Sequence, residues 1–383
     1  CFMVGLVPVL GFFGIYFFRY SFVADHFQYL ASMGLIALVV GAGATVAERA
    51  GRRADDVGAF AAAIALVVLG MATWNHEVVF ASEDSLWRDT LARNPNAWLA
   101  HNNLGACLVE AGKLQQAIGE YDEALRLKPD YDLAHYNLGV VLDLRGRTRE
   151  AIQQYEEALR IKPDYSAAQN NLGVALGQLG RFKEAIGHYE EALRLKPDFP
   201  QAQYNLGVAM QHEGRLEDAI AHYEQALRLK PDYADAHCGL GNCLAQAGRT
   251  ADAITHFEEA LRIRPDLVEA HYRLGNVLFQ TNRFEEAIVQ YKETLRLRPD
   301  FPEVQNNLGN ALLRVGRPAE AVGYYEQAVL LQPGSAGMEY NLGVALEEAG
   351  RVPEARAHFE KAVRLKPDFA EAQQRLAQLR GAK

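Results

Sequence analysis

The sequence has little of what many enzymes and nucleic-acid-binding proteins need. Its formal net charge is −9 at pH 7, which disfavours nucleic acid, because a phosphate backbone attracts an excess of lysine and arginine. It has four cysteines but no paired-cysteine metal motif, and it has neither a G-x-S-x-G nucleophile motif nor a Walker-type phosphate loop. We therefore expect no cofactor, no metal site and no nucleic-acid partner.

Charged residues are also missing from three long apolar runs, which cover residues 1–18, 27–47 and 57–75. A helix rises about 1.5 Å per residue, so about 20 residues cross the roughly 30 Å hydrocarbon core of a bilayer. The sequence thus predicts a transmembrane segment over residues 1–76, with helices at about 1–18, 29–47 and 57–75. The alternative is a buried helical hairpin of a soluble protein, which leaves too little polar sequence to cover three such runs.

Lysine is absent from the first 97 residues, and the arginines there are unevenly placed. The loop between the second and third predicted spans holds Arg49, Arg52 and Arg53, whereas the preceding loop holds Arg19 alone. Cytoplasmic loops carry the excess of basic residues, so we expect the arginine-rich loop in the cytoplasm. The rest of the chain then lies outside the cytoplasm, in the periplasm of a bacterium or the ER lumen of a eukaryote. Since the sequence begins at Cys1 rather than methionine, we interpret it as part of a longer protein.

From Trp98 onward the sequence repeats every 34 residues without an insertion. Each copy predicts a helix, a turn, a second helix and a proline stop, with small residues where the two helices touch. The turn falls at a glycine in every copy except one, which has Asn282, and asparagine is the other residue that tolerates a left-handed backbone there. The pattern resembles the tetratricopeptide repeat, eight times from Trp98 to Phe369. This resemblance implies an all-α fold, a right-handed superhelical solenoid of helix-turn-helix repeats.

Two flanking segments complete the predicted domain organisation. Residues 77–97 match the second half of a repeat, with Trp87 at its aromatic position, and would link the membrane segment to the array. The eight repeats occupy residues 98–369. Residues 370–383 form a capping helix and tail, in which Ala370 to Leu379 is a polar final helix of the kind that keeps a solenoid soluble.

Asparagine recurs at the sixth position of the repeat, although it is a poor helix former whose side chain competes for backbone hydrogen bonds. This position lies on the first helix, whose face lines the concave groove of such superhelices. An asparagine amide has an acceptor and two donors, so it can pair with the N–H and C=O of an extended peptide. The repeats resemble those of O-GlcNAc transferases, in which such a ladder holds acceptor polypeptide; the alternative is that the asparagines satisfy only local backbone groups. The ladder consists of Asn103, Asn137, Asn171, Asn205, Asn307 and Asn341.

Two copies interrupt this asparagine ladder with Gly239 and Arg273, which suggests a groove in two sections. We include Arg273 among the predicted peptide-binding residues. Tyrosine occupies the fifth position of every second copy and supplies rigid contact area at little entropic cost, although packing within the groove is an equal alternative. These predicted contact residues are Tyr136, Tyr204, Tyr272 and Tyr340. No copy has lysine at this position, which repeats that clamp the C-terminal carboxylates of chaperones need.

Histidines recur at the fourth and twenty-third positions of the repeat. Neighbouring copies lie about a helix pair apart, which is too far for nitrogen ligands that hold a metal at about 2 Å. We interpret these histidines as consensus residues of the repeat. We interpret Cys107, Cys238 and Cys243 as small core or groove residues.

The stretch "VADHFQYLASMG", Val23 to Gly34, falls in the predicted outer loop and the start of the next helix. It resembles the "ADRYxYLPxxG" element of integral-membrane glycosyltransferases that use lipid-phosphate sugars and carry C-terminal tetratricopeptide repeats, including the transmembrane O-mannosyltransferases. The matched positions are Asp25, His26, Tyr29 and Gly34, with His26 where arginine is usual. The resemblance implies the C-terminal part of a protein O-glycosyltransferase, with a membrane lipid or lipid-phosphate sugar as a partner. Asp25 and His26 are its candidate catalytic residues here, and the family's catalytic acid would lie upstream of Cys1.

Two hypotheses about function follow. In the first, the chain is a membrane-anchored repeat protein whose groove binds extended polypeptide, as the acceptor-recognition part of a glycosyltransferase that uses a lipid-linked sugar. In the second, it is a non-enzymatic scaffold that assembles envelope or secretory proteins. Coding sequence upstream of Cys1 discriminates them: further membrane spans with an early acidic external loop favour the first, and a nearby start codon favours the second.

Overall fold

The computed structural model describes residues 82–381, and every regular element in that range is an α-helix. The predicted transmembrane helices lie outside the described residues, as do Asp25 and His26. No helix within residues 82–381 is long and apolar enough to cross a bilayer. The chain divides into two compact units, residues 1–127 and 128–383.

The first unit contains α1 (Glu83–Arg93), α2 (Trp98–Glu110) and α3 (Leu114–Leu127). The second unit contains α4 (Asp132–Leu144), α5 (Thr148–Ile161), α6 (Ser166–Gln178), α7 (Phe182–Leu195), α8 (Pro200–His212), α9 (Leu216–Leu229), α10 (Ala234–Gln246), α11 (Thr250–Ile263), α12 (Val268–Gln280), α13 (Phe284–Leu297), α14 (Pro302–Arg314), α15 (Pro318–Leu331), α16 (Ala336–Glu348), α17 (Val352–Leu365) and α18 (Ala370–Gly381). Each repeat pairs a first helix of 13 residues with a second helix of 14 residues, as α4 and α5 show. The predicted helix-turn-helix pattern is therefore confirmed.

The turn between the two helices of a repeat depends on a left-handed residue. Gly146 has φ 72°, and the N–H of the next residue, Arg147, donates to the carbonyl of Leu142 at 2.9 Å, which closes the end of α4. Asn282 has φ 61° and is the one residue other than glycine with a positive φ in the described chain. The assignment of Asn282 to this turn is confirmed, because asparagine adopts this conformation at low cost.

The small residues of the repeat allow its two helices to approach closely. A β-carbon at Gly139 would lie 2.6 Å from the ring of Tyr155, which is 1% exposed. Ala151 and Ala158 on the same second helix are fully buried. The core of each repeat therefore consists of one large aromatic ring held between small residues on facing helices.

The first helices of the second unit form a continuous layer. Each second helix packs against its own first helix and against the first helix of the next repeat, and neighbouring first helices also contact each other, as α4 contacts α6 and α6 contacts α8. No comparable contact joins neighbouring second helices in the described chain. The side chains that project from the first helices therefore share one surface.

A candidate polypeptide-binding groove

The second, fifth, sixth and ninth positions of each repeat have the spacing that places residues on one face of a helix. We call the surface that these positions form on α4, α6, α8, α10, α12, α14 and α16 the groove face. Its fifth, sixth and ninth positions are mostly half-buried, and its second positions are mostly exposed. The groove face is therefore a partly enclosed surface that a ligand can reach.

The asparagine ladder links neighbouring first helices through side-chain hydrogen bonds. Four ladder asparagines each donate an amide N–H to a side chain of the preceding repeat. The hydrogen bonds run from Asn171 to the Tyr136 hydroxyl (3.2 Å), from Asn205 to Asn170 Oδ1 (2.9 Å), from Asn307 to Asn276 Oδ1 (3.2 Å) and from Asn341 to Asn306 Oδ1 (2.8 Å). These asparagines thus hold successive repeats together, a structural role that the sequence alone did not indicate.

This linking leaves part of each amide available. Within residues 82–381, the carbonyl oxygens of Asn205, Asn307 and Asn341 accept no hydrogen bond, and none of these oxygens is sealed from solvent. Each of the three amides has also used only one of its two N–H donors. An acceptor and a donor thus stay free at each of these positions, which is the pair that a peptide group requires.

The two remaining ladder residues lie at the start of the array. Asn137 is half-buried on α4, within the second unit. Asn103 lies on α2 in the first unit, and its Oδ1 accepts a hydrogen bond from the amide of Asn102 at 3.1 Å. The same neighbour-to-neighbour hydrogen bond joins Asn170 to Asn171 in the third repeat, also at 3.1 Å. The asparagine pairs of the first and third repeats therefore orient each other.

The four fifth-position tyrosines pack against an aromatic ring at the end of their own repeat. The ring centroids are separated by 4.9 Å for Tyr136 and Tyr165, 5.0 Å for Tyr204 and Tyr233, 5.1 Å for Tyr272 and Phe301, and 5.1 Å for Tyr340 and Phe369. Burial raises the pKa of Tyr136 and Tyr204 above its usual value, so both hydroxyls stay protonated at neutral pH. The four tyrosines are therefore half-buried and each is held by a neighbouring ring.

The ladder is interrupted at two positions for different physical reasons. A β-carbon at Gly239 would lie 2.7 Å from the ring of Tyr223, whose hydroxyl donates to Gln211 Oε1 at 3.1 Å. The Tyr223 ring thus occupies the space that an asparagine side chain would need. Arg273 donates from Nε to Glu269 Oε1 at 2.6 Å, and its guanidinium lies 5.6 Å from the centroid of the Tyr272 ring. The fifth and sixth repeats therefore present no amide at this position.

A set of residues that sequence reasoning missed lies on α12 and α14. Asn276 and Asn310 hold the ninth position and line a cavity of about 360 Å³, together with Phe279, Gln280, Tyr291 and Asn307. A change of residue type in the sequence could have identified them: the ninth position is valine in the second to fourth repeats and asparagine in the fifth to seventh. The two groups are Val140, Val174 and Val208, and Asn242, Asn276 and Asn310.

The repeat histidines connect the two helices of their own copy. Each contacts a side chain on the other helix, 19 residues away in the sequence. The ring Nδ1 of His135 lies 2.8 Å from Gln154 Oε1, while its Nε2 donates to the carbonyl of Pro129 at 3.0 Å. The fifth repeat is unusual, because Nδ1 of His237 lies 3.0 Å from Nδ1 of His256. Burial lowers the pKa of His256 below its usual value, and the neighbouring His237 lowers it further. These histidines connect the helices of each copy.

The cysteines of the described chain carry free thiols. Burial raises the pKa of Cys238 to about 12 and that of Cys243 to about 11, so both are protonated at neutral pH. Both side chains are buried, which agrees with their interpretation as small core or groove residues. No group of three or more metal-ligating side chains occurs among residues 82–381.

Three family models described as tetratricopeptide, or TPR, repeats match this chain. One matches residues 96–164 and 198–266, another 175–214 and 275–316, and the third 306–370. The chain therefore contains tetratricopeptide repeats, as its 34-residue period predicts. Comparison with curated protein sequences finds no match.

Several solved structures are similar to the chain. The APC/C hetero-tetramer Cut9–Hcn1 matches with a TM-score of 0.50 and 16% identity over 76% of this chain and 58% of that chain, which shows the fold. YrrB, described as a TPR protein with an unusual peptide-binding site, matches at 25% identity over 48% of this chain and 95% of its own, with a TM-score of 0.42. The MamA protein matches at 23% identity over 45% of this chain and 94% of its own, with a TM-score of 0.42.

Proposed function

We propose that the groove face binds extended polypeptide and that its asparagine ladder pairs with peptide backbone. The observation that carries this proposal is the free half of each amide: Asn205, Asn307 and Asn341 use one N–H to link repeats and keep a carbonyl oxygen and a second N–H. Packed helices lie about 8 to 10 Å apart and an extended chain rises about 3.3 Å per residue, so successive asparagines would meet about every third ligand residue.

Titration of several unstructured polypeptides of unrelated sequence tests this proposal. The variant carries Asn205→Ala, Asn307→Ala and Asn341→Ala, and a matched control carries Gln153→Ala and Gln327→Ala, two exposed amides on second helices. We expect the triple variant to lose about 0.5 to 1.5 kcal/mol of binding free energy for each net hydrogen bond removed. The loss should be similar for all the polypeptides, because backbone pairing ignores side chains. Unchanged binding by a triple variant that melts at a lower temperature would make the asparagines purely structural.

We further propose that the bound polypeptide is the acceptor of a membrane protein glycosyltransferase that uses a lipid-linked sugar. The support is the resemblance of residues 23–34 to the glycosyltransferase element, together with the predicted spans over residues 1–76, all of which lie outside the described residues. Replacing Asp25 by Asn in the complete protein should then abolish or reduce sugar transfer. Unchanged transfer would remove this reading and favour the second candidate, a membrane-anchored scaffold without enzymatic activity.

The proposed location of the repeats is outside the cytoplasm. This proposal is based on the arginines: one predicted loop holds Arg49, Arg52 and Arg53, whereas the other holds Arg19 alone. Protease added to intact cells with a permeabilised outer layer should degrade the repeats. Cleavage only after lysis would contradict this topology.

A further inference from the structure

The cavity between the sixth and seventh repeats contains amides whose orientation is fixed by buried tyrosines. Asn276 Oδ1 accepts two hydrogen bonds, from the hydroxyl of Tyr291 at 2.9 Å and from the amide of Asn307 at 3.2 Å. Asn310 Oδ1 accepts one from the hydroxyl of Tyr325 at 2.6 Å. Both tyrosines are almost completely buried, and burial raises the pKa of each, so their hydroxyls stay protonated donors. The carbonyl ends of both asparagines are therefore engaged by the protein.

The opposite ends of these amides are not engaged. Within the described residues, the NH₂ groups of Asn276 and Asn310 donate to no acceptor, and neither nitrogen is sealed from solvent. Asn307 has the complementary arrangement, since its N–H is used and its carbonyl oxygen accepts nothing. The cavity thus presents fixed donors from two asparagines and a fixed acceptor from a third.

We propose that this cavity, which we call the amide pocket, binds the carboxamide side chain of a glutamine or asparagine in the bound polypeptide. A carboxamide needs a donor for its oxygen and an acceptor for its NH₂ group; Asn276 or Asn310 supplies the first and Asn307 the second. The ring of Phe279 gives an apolar wall for the methylene groups of the ligand side chain. The inference rests on the proposed function, because the polypeptide must lie along the groove face to present that side chain.

The lining of the amide pocket disfavours other side chains. None of its six lining residues carries a charge, so a carboxylate or ammonium group would lose hydration without meeting a counter-charge. An aliphatic side chain would cover the free amide groups and leave them without partners, which is costly. The second to fourth repeats have valine in place of these asparagines, so their ninth positions offer no amide to a ligand side chain.

The test uses all 383 residues of this chain, kept in a mild detergent. The probes are fluorescent host peptides of alanine, serine and glycine, about 15 residues long, that differ only in one central guest residue: Gln, Glu or Leu. We expect the Gln peptide to bind about threefold to tenfold more tightly than the Leu or Glu peptide, the effect of one or two net hydrogen bonds. Equal binding of the three peptides overturns the amide pocket while the proposed function stands. Failure of all three to bind overturns both.

A double variant, Asn276→Asp with Asn310→Asp, separates recognition from stability. Aspartate keeps the oxygens that accept from Tyr291, Tyr325 and Asn307, but it replaces the donor NH₂ groups by further acceptors. We expect this variant to lose the preference for Gln while binding the Leu peptide within about twofold of the parent. The matched control is Asn242→Asp, at the ninth position of the fifth repeat and outside the pocket, which should keep the preference. A double variant that keeps the parent's preference for Gln contradicts the proposal.

Discussion

Two sections of the array have the same core packing but present different groove faces. Residues 132–233 form the second to fourth repeats and residues 234–335 form the fifth to seventh. In the first section the second position is uncharged, the sixth is always asparagine and the ninth is always valine. In the second section the second position is Asp235, Glu269 or Glu303, the sixth is Gly239, Arg273 or Asn307, and the ninth is always asparagine. The first section therefore offers amides beside aliphatic surface, which suits a peptide backbone of any sequence.

In the second section, charged side chains and amides of fixed orientation occupy these groove positions. Asp235 forms an ion pair with Arg264, and Glu269 forms one with Arg273. These pairs are partly exposed, so they contribute little to stability. Together with the proposed amide pocket, they are the features by which we propose that the second section distinguishes the side chains of its ligands. The difference shows that a repeat keeps its packing positions while its groove positions vary independently.

The largest expected effect concerns the core that the two sections share. Gly139→Ala in the first section and Gly275→Ala in the second would place a β-carbon 2.6 Å and 2.7 Å from the rings of Tyr155 and Tyr291. Overpacking of this kind costs typically about 1 to 3 kcal/mol. We expect both variants to lose stability by similar amounts in denaturant unfolding.

The control for this pair is a glycine that faces open space in a second helix. Nothing lies within 4 Å of a β-carbon at Gly187 in the first section or Gly323 in the second. Alanine there should stabilise by up to about 1 kcal/mol, because it is the better helix former. If Gly139→Ala and Gly275→Ala differ strongly in the stability they lose, the two sections do not have the same core packing.

The second prediction concerns acid. The pKa of His256 is lowered from 6.5, first by burial and then by His237, so the unfolded chain binds protons more readily as the pH falls. The stability that depends on neutral His256 is therefore fully present above pH 6.5 and is lost below it, as the pH falls towards the lowered pKa. We expect His256→Gln, which recreates the His–Gln pair of His135 and Gln154, to reduce the loss of melting temperature between pH 7.5 and pH 5.

His222→Gln in the first section is the comparison for this acid effect. The pKa of His222 is also lowered by burial, but its partner at 2.8 Å is Gln203, which cannot become charged. Its replacement should therefore remove less of the acid sensitivity than His256→Gln. An equal effect of the two substitutions would show that the paired histidines of the second section add nothing to simple burial.

The smallest expected effect, on the affinity for polypeptide, comes from a substitution that makes the second section more like the first. Arg273→Asn removes a partly exposed ion pair with Glu269 and places an amide at the sixth position of α12. We expect uncharged unstructured polypeptides to bind about 0.5 to 1 kcal/mol more tightly, the value of one added net hydrogen bond. Arg296→Asn, which removes an exposed ion pair with Glu293 on a second helix, is the control and should change nothing. No gain from Arg273→Asn would mean that the ladder position does not contribute to binding there.

The sequence predicted the repeated core well because each core position recurs every 34 residues and meets the same neighbours each time. Asn282 illustrates this, since its place in the period alone identified it as a turn residue. The cross-links of the ladder, such as that from Asn205 to Asn170, were not predicted because they join side chains of different repeats. The ring of Tyr223 over Gly239 and the hydrogen bond from Asn307 to Asn276 were missed for the same reason.

A scan of backbone esters through a bound peptide tests the central claim most directly. Replacing one amide of an uncharged 15-residue peptide by an ester removes an N–H donor and weakens the carbonyl acceptor, while every side chain is kept. We predict that affinity for the complete chain falls about threefold to tenfold at esters spaced about three residues apart, and little at the positions between them. If no ester weakens binding while single side-chain changes abolish it, the asparagine ladder does not read peptide backbone.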